Sequence, residues 1–139
     1  MKTIFVFSIF IILSLTACTG QGFLSQRFID HSTVDGVDIQ YRWANETRDK
    51  NSPLELRLKI KNNNSYPVQV SYEIEFYMGP LMEESSEPTE LCINPKLART
   101  GRINGMYYRS TKLSNEQMES EDFIWEISNL KIEKVDSCR

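Results

Sequence analysis

A single histidine limits the acid–base and metal chemistry that this chain of 139 residues can perform. Nucleophilic serine and cysteine usually depend on a positioned imidazole, and His31 falls in an N-terminal stretch without regular patterning. One histidine cannot form a zinc site that needs several imidazole ligands. The 19 acidic residues offer many carboxylate pairs, but no spacing singles out one pair for glycoside hydrolysis. We therefore predict that the protein is not an enzyme and that it holds no cofactor or metal ion.

The second half of the chain alternates between acidic and basic segments. Residues 83–90 contain four glutamates, residues 91–115 contain five basic and no acidic residues, and residues 116–126 contain five acidic residues. The basic segment holds four candidate ligand-binding residues, whose types bind anionic groups or stack on sugar rings: Arg102, Tyr107, Tyr108 and Arg109. In the alternative interpretation, neighbouring strands and loops of opposite charge neutralise one another.

The first 17 residues have the pattern of an export signal. Lys2 precedes an apolar run from Ile4 to Leu15, which is shorter than the about 20 residues of a membrane-spanning helix. The run ends in Leu15-Thr16-Ala17-Cys18, which resembles the lipobox of bacterial lipoproteins. In that family the signal is cleaved before the cysteine, and the cysteine thiol carries a diacylglyceryl group. The resemblance implies a signal peptide over 1–17, lipidation of Cys18 and anchoring in a lipid bilayer.

The resemblance also predicts the compartment. Lipoproteins of this type reside in the bacterial cell envelope, and in some bacteria an acidic residue after the lipidated cysteine retains them at the inner membrane. Thr19 occupies that position here, so the outer membrane is favoured over the inner membrane. With Cys18 assigned to lipid, Cys92 and Cys138 remain as a disulfide candidate in an oxidising compartment; two separate thiols are the alternative.

Alternating apolar and polar residues, the pattern of half-buried strands, dominate the rest of the chain. The clearest alternation covers residues 37–43, 54–60 and 68–76. We expect the last two segments to pair as a hairpin, closed by Asn62-Asn63-Asn64-Ser65. Across that hairpin, Arg57 and Lys59 would contact Glu73 and Glu75.

The remaining elements are shorter. We expect a loop over residues 78–90, strands at 90–93 and 106–109, and a helical turn within 114–120 that is capped by Ser114 and Gln117. A last strand region starts at Phe123 and changes phase at Ser128-Asn129, which indicates a bulge. Trp43 and Trp125 are in phase with aliphatic residues and are expected in the core.

Short strands separated by turn signals, with almost no helix, indicate an all-β protein. We predict an immunoglobulin-like β-sandwich over residues 34–139, preceded by a lipidated N-terminus and tether over 18–33. The chain has 16 basic and 19 acidic residues, a net charge of −3, so no basic excess favours nucleic acid.

These features together predict a non-catalytic binding or assembly module, which contacts another envelope protein through an exposed sheet face, edge or loop. The first alternative is a lipoprotein that binds carbohydrate or an anionic glycan through the four candidate residues. The second is an inhibitor or immunity-type protein.

Overall fold

The computed structural model describes residues 27–138, so Cys18 and the expected signal peptide lie outside the described residues. This part of the chain contains nine strands, one α-helix and one 3₁₀ helix. In chain order they are β1 (Ile29–Val34), β2 (Val37–Asn45), β3 (Leu54–Asn62), β4 (Val68–Met78), β5 (Leu81–Ser85), β6 (Thr89–Ile93), β7 (Ala98–Thr100), the 3₁₀ helix (Arg102–Asn104), β8 (Tyr107–Tyr108), α1 (Asn115–Met118) and β9 (Phe123–Lys134).

The strands form two antiparallel sheets. Sheet 1 has the order β1-β2-β3-β7, and β8 also pairs with β3. In sheet 2, β9 pairs with β4 along its whole length, while β5 and β6 pair with the two ends of β4 on its other side. The prediction of an all-β sandwich is confirmed.

The core lies between the two sheets and consists of the inward-facing residues of the alternating segments. Leu56, Leu58 and Ile60 of β3 face Val70, Tyr72 and Ile74 of β4, and all six side chains are almost fully buried. Burying one such aliphatic side chain contributes about 1.5–3 kcal/mol, so this double row is the main source of stability. Trp43 is buried in the core as expected, whereas Trp125 is half-buried and packs against the core from one side.

The prediction that residues 54–60 and 68–76 pair as a hairpin is wrong, because β3 and β4 lie in opposite sheets. Arg57 therefore contacts Glu55 of its own strand, and Glu73 accepts a hydrogen bond from Asn129. Alternation requires only that each strand bury one face, and two strands that face each other across a sandwich satisfy this as well as two neighbours. The buried amide of Asn62 holds the crossing between the sheets by donating to the carbonyls of Tyr66 and Ile93.

Two segments expected to lack strands contain them. Residues 81–85 of the expected loop form β5, which turns back on β4 through Gly79, where the backbone has a φ of 55°. Residues 29–33 of the expected tether belong to β1, which pairs with β2. The sandwich therefore begins five residues before the expected boundary, and His31 lies in a strand.

Other local predictions are confirmed. Ser114 and Gln117 form a reciprocal capping box at the start of α1. The pairing of β4 with β9 slips between Ser71 and Glu73, and Asn129 opposite has a φ of 51°, so the change of phase is a bulge. Within residues 27–138, no helix has the length and apolar character needed to cross a membrane.

Candidate functional site

A disulfide joins Cys92 of β6 to Cys138, with Cα atoms 5.4 Å apart and a sequence separation of 46 residues, which confirms the predicted pair. Cys92 pairs with Gln69 on the outer face of sheet 2. The bond therefore fastens the segment after β9 to that sheet. A loop of this length contributes about 4 kcal/mol in the chain-entropy account.

The four candidate ligand-binding residues do not share one face. Tyr107 pairs with Arg57 and faces outward from sheet 1, with 40% of its surface exposed and the Arg102 guanidinium 5.1 Å from its ring centre. Tyr108 pairs with the core residue Leu56 and faces inward. The side chains of Arg102 and Arg109 are 42% and 47% exposed.

The exposed arginines belong to an ion-pair network on the outer face of sheet 1. One carboxylate oxygen of Glu46 lies 2.6 Å from Arg109 and 3.4 Å from Arg102. One oxygen of Glu55 lies 2.6 Å from Arg57 and 3.0 Å from Arg102, and the Glu55 side chain is fully buried. Three guanidinium groups thus surround two carboxylates, which is the local neutralisation that the alternative interpretation describes.

Tyr108 belongs to a hydrogen-bond chain between the sheets. Its hydroxyl donates to the hydroxyl of Tyr72 at 2.8 Å and lies 2.9 Å from the hydroxyl of Thr89. Burial raises the pKa of both phenols, so they remain neutral and hydrogen-bonded. This chain connects sheet 1 at β8 to sheet 2 at β4 and β6.

A half-open cleft of about 240 Å³ lies beside this chain, between β5 and β8. Its lining combines apolar, aromatic and polar groups from both sheets: Phe76, Glu84, Ser86, Tyr107, Tyr108 and Arg109. Three of the four candidate residues therefore meet at this cleft, while Arg102 does not line it.

Glu84 contributes to the cleft a carboxylate that is held in place by hydrogen bonds. Its carboxylate accepts hydrogen bonds from the hydroxyls of Ser110 (2.5 Å) and Thr111 (2.8 Å) and from the Thr111 backbone (3.0 Å). Burial alone would raise the pKa of Glu84, but these hydrogen bonds and the charge of Lys112 lower it by more. Glu84 therefore ties β5 to the segment after β8 as a carboxylate.

A second surface, on the outer face of sheet 2, was missed by the sequence reasoning. Met82 of β5, Tyr77 of β4 and Ile124 of β9 are direct cross-strand neighbours and form what we call the apolar row. Met82 is 50% exposed and Ile124 is 48% exposed. The alternation of β4 already placed Tyr77 outward. The expected loop over residues 78–90, however, offers no strand that would place Met82 beside it.

Three rings meet at the side of the sandwich where β1 approaches β9. The Trp125 ring centre lies 4.8 Å from that of His31 and 5.0 Å from that of Tyr41. Desolvation lowers the pKa of His31. The cluster closes this side of the sandwich with aromatic contacts, whereas hydrogen bonds cross the opposite side.

The fold defines the chain as a small all-β sandwich protein. Among the described residues, no group of three or more histidine, cysteine, aspartate or glutamate side chains is arranged to hold a metal ion. Comparisons of the chain with protein-family models, curated proteins and solved structures found no match.

Proposed function

We propose that this chain is a lipid-anchored lipoprotein of the bacterial cell envelope, whose sandwich is a non-catalytic binding module for another envelope protein. The proposed anchor rests on the lipobox resemblance at Leu15-Thr16-Ala17-Cys18. The disulfide between Cys92 and Cys138 fits export, because such bonds persist in oxidising compartments. The outer membrane is the proposed residence, in keeping with Thr19 after the lipidated cysteine.

The observation that carries the binding function is the apolar row on sheet 2. Three large side chains, Met82, Tyr77 and Ile124, are aligned by the pairing of β5, β4 and β9. Contiguous exposed apolar side chains on an ordered surface mark sites of macromolecular contact. Met and Tyr are also residue types enriched in protein interfaces.

The test compares two exposed isoleucines in intact cells. The lipidated protein is crosslinked mildly, purified and analysed by mass spectrometry in three forms: the native chain, Ile124→Asp and Ile103→Asp. Ile103 is 93% exposed on the 3₁₀ helix, outside the apolar row. We expect a stoichiometric protein partner that is lost in Ile124→Asp and retained in Ile103→Asp. Equal recovery from both variants, or no partner at all, contradicts the proposal.

The identity of that partner also separates assembly from inhibition. A structural envelope protein would assign an assembly role. A secreted enzyme whose activity falls on binding would instead assign the inhibitor or immunity-type role.

The lipid anchor has its own test. Cells expressing the native chain or Cys18→Ser are labelled with palmitate, and the membrane fraction is compared. We expect the substitution to abolish both labelling and membrane retention. Labelling that persists in Cys18→Ser contradicts the assignment of Cys18 as the lipidated residue.

A second candidate function, binding of carbohydrate, is favoured by the composition of the cleft. A sugar ring needs an aromatic or apolar surface together with hydrogen-bonding groups, and the cleft offers Phe76, Tyr107, Ser86 and Arg109. Titration with polygalacturonate while following tyrosine and tryptophan fluorescence tests it. We expect binding to be weakened by Arg109→Gln and unchanged by Arg99→Gln, since Arg99 is exposed on β7 and does not line the cleft. Equal effects of the two variants contradict this candidate.

A further inference from the structure

We infer that the partner presents a cationic surface with apolar side chains at its centre, and that it docks on the half of sheet 2 that carries the apolar row. This inference rests on the proposed function and adds the chemistry of the partner. The docking surface consists of the apolar row and three glutamates on the same outward face: Glu75 and Glu126 next to the row, and Glu73 one step further along β4.

Strand register places the glutamates beside the row. Glu75 pairs with Glu126. Glu75 lies two residues before Tyr77, and Glu126 lies two residues after Ile124, so all four side chains share the outward face. Residues two apart on a strand are about 7 Å apart, so these carboxylates flank Tyr77 and Ile124 directly. The coulombic effect of Glu126 on the Tyr77 phenol reflects the same proximity. One ligand surface can therefore contact the apolar row and the carboxylates together.

The carboxylates are positioned by hydrogen bonds, and among the described residues none of them forms an ion pair. Tyr77 donates its hydroxyl hydrogen to Glu75 at 2.5 Å, and Asn129 donates to Glu73 at 3.1 Å. The hydrogen bond from Tyr77 lowers the pKa of Glu75, so this group stays ionised. All ion pairs found within residues 27–138 lie on sheet 1, so none involves these three glutamates.

The hydrogen bond from Tyr77 to Glu75 also holds the tyrosine ring in the apolar row. A fixed aromatic ring loses little conformational freedom when a partner covers it. The surface is therefore prepared for contact on both its apolar and its charged parts.

Charge selects the occupant among the alternatives. An anionic bilayer surface attracts basic segments and would be repelled by three glutamates. A second copy docked through the same face would set glutamate against glutamate, which costs affinity. A cationic protein segment gains both electrostatic attraction and apolar contact. Beyond the bulge at Asn129, Lys131 shares the outer face with Glu90 and Glu133, so that half of sheet 2 carries charges of both signs, whereas the half near Gly79 carries glutamates alone.

The experiment uses two synthetic peptides as probes, one of alternating lysine and leucine and one of alternating glutamate and leucine. The chain from residue 18 onward, with Cys18→Ser for solubility, is titrated with each peptide at low and high salt and followed by backbone amide NMR. We expect the lysine peptide to shift signals of β4, β5 and β9 at the apolar row, and we expect the glutamate peptide to leave them unchanged.

Variants separate the roles of the two parts of the surface. We expect Glu75→Gln/Glu126→Gln and Ile124→Asp each to weaken lysine-peptide binding about tenfold at low salt. The matched control Glu116→Gln/Glu119→Gln removes the same charge near α1 and is expected to leave binding unchanged. Raising the salt should weaken binding to the native chain and have less effect on Glu75→Gln/Glu126→Gln.

Several outcomes overturn the inference. They are equal binding of both peptides, shifts mapped away from the apolar row, equal loss in the control variant, self-association through this face, and binding of anionic vesicles through it. If the partner captured in cells depends on Ile124 but not on Glu75 and Glu126, the inference fails while the proposed function stands. If capture does not depend on Ile124, the proposed function itself fails.

Discussion

The outer faces of the two sheets use charge in opposite ways. On sheet 1, three arginines surround Glu46 and Glu55, and the cationic groups of Arg42 and Lys59 lie 4.8 and 5.9 Å from the ring centre of Phe28. On sheet 2, the carboxylates beside the apolar row accept hydrogen bonds from neutral groups, and no ion pair involves them among the described residues.

This difference separates structural charge from charge available to a partner. The network on sheet 1 holds the 3₁₀ helix and the residues around β8 against β3, so its charges already have partners within the chain. On the outer face of sheet 2, a disulfide fastens the segment after β9 instead. The glutamates of this face can contact a ligand without first breaking an ion pair.

The largest effect is expected from removing the disulfide. In Cys92→Ala/Cys138→Ala the segment after β9 loses its covalent attachment to sheet 2, and the unfolded chain regains the freedom of a long loop. We expect the free energy of unfolding to fall by about 4 kcal/mol, measured by urea unfolding followed by tryptophan fluorescence. Reduction of the native protein is the control and should give the same loss. A loss below about 1 kcal/mol would mean that sheet 2 holds this segment without the bond.

The next largest loss of stability is expected from removing the buried glutamate of the sheet 1 network. Glu55→Ala removes a fully buried carboxylate and leaves Arg57 and Arg102 facing a buried void, so we expect a loss of about 2–3 kcal/mol. The value lies below the about 3–5 kcal/mol typical of a broken buried pair, because both arginines are partly exposed and can turn toward water.

Glu46→Ala serves as the matched comparison. Its ion pairs are exposed and screened, so the expected loss in the same unfolding measurement is below about 1 kcal/mol. Equal losses for Glu46→Ala and Glu55→Ala would show that burial does not set the strength of this network.

The contrast also predicts a mutation that changes function without changing stability. Ile124 is 48% exposed and faces outward, so Ile124→Asp should alter the free energy of unfolding by no more than about 0.5 kcal/mol. The buried residue Ile74 on the neighbouring strand is the comparison, because Ile74→Ala should cost about 2–5 kcal/mol. A large destabilisation by Ile124→Asp would identify the apolar row as part of the fold rather than as a docking surface.

The sequence predicted the sandwich because alternation is local. The alternation within each of β2, β3 and β4 indicates which face is buried. The residue type of Ser114 indicates a helix cap, and the change of phase at Asn129 indicates a bulge. Pairing is not local. Whether Leu56 and Val70 lie side by side or face to face depends on a crossing held by the Asn62 amide, which the alternation of the strands does not encode.

The candidate site was predicted in part for the same reason. Arg102, Tyr107 and Arg109 are close in sequence, so their proximity in the fold could be expected. Glu46 and Glu55, which neutralise the arginines, come from segments about 50 residues earlier. The apolar row likewise combines residues from three strands, one of which, β5, begins after a Gly-Pro turn in a segment rich in glutamate and serine.

The smallest predicted effect is a pH dependence of stability, which arises at the side of the sandwich where the two sheets meet through aromatic rings. His31 stacks near Trp125, and desolvation there lowers the pKa of the imidazole from 6.5. The folded state therefore favours the neutral ring, while the unfolded chain binds a proton more readily. The contribution of His31 to the free energy of unfolding is therefore full above pH 6.5 and decreases as the pH falls below it.

Thermal unfolding of the native chain and of His31→Gln, measured across this range, tests the sign. We expect the midpoint of the native chain to fall more than that of the variant as the solution is made acidic. The shift is small because His31 is largely exposed and water screens its charge. A native midpoint that rises on acidification, relative to His31→Gln, would mean that attraction between the protonated imidazole and the face of Trp125 exceeds the cost of desolvation. The aromatic side would then become more stable with acid, and β1 would be held more tightly against β9.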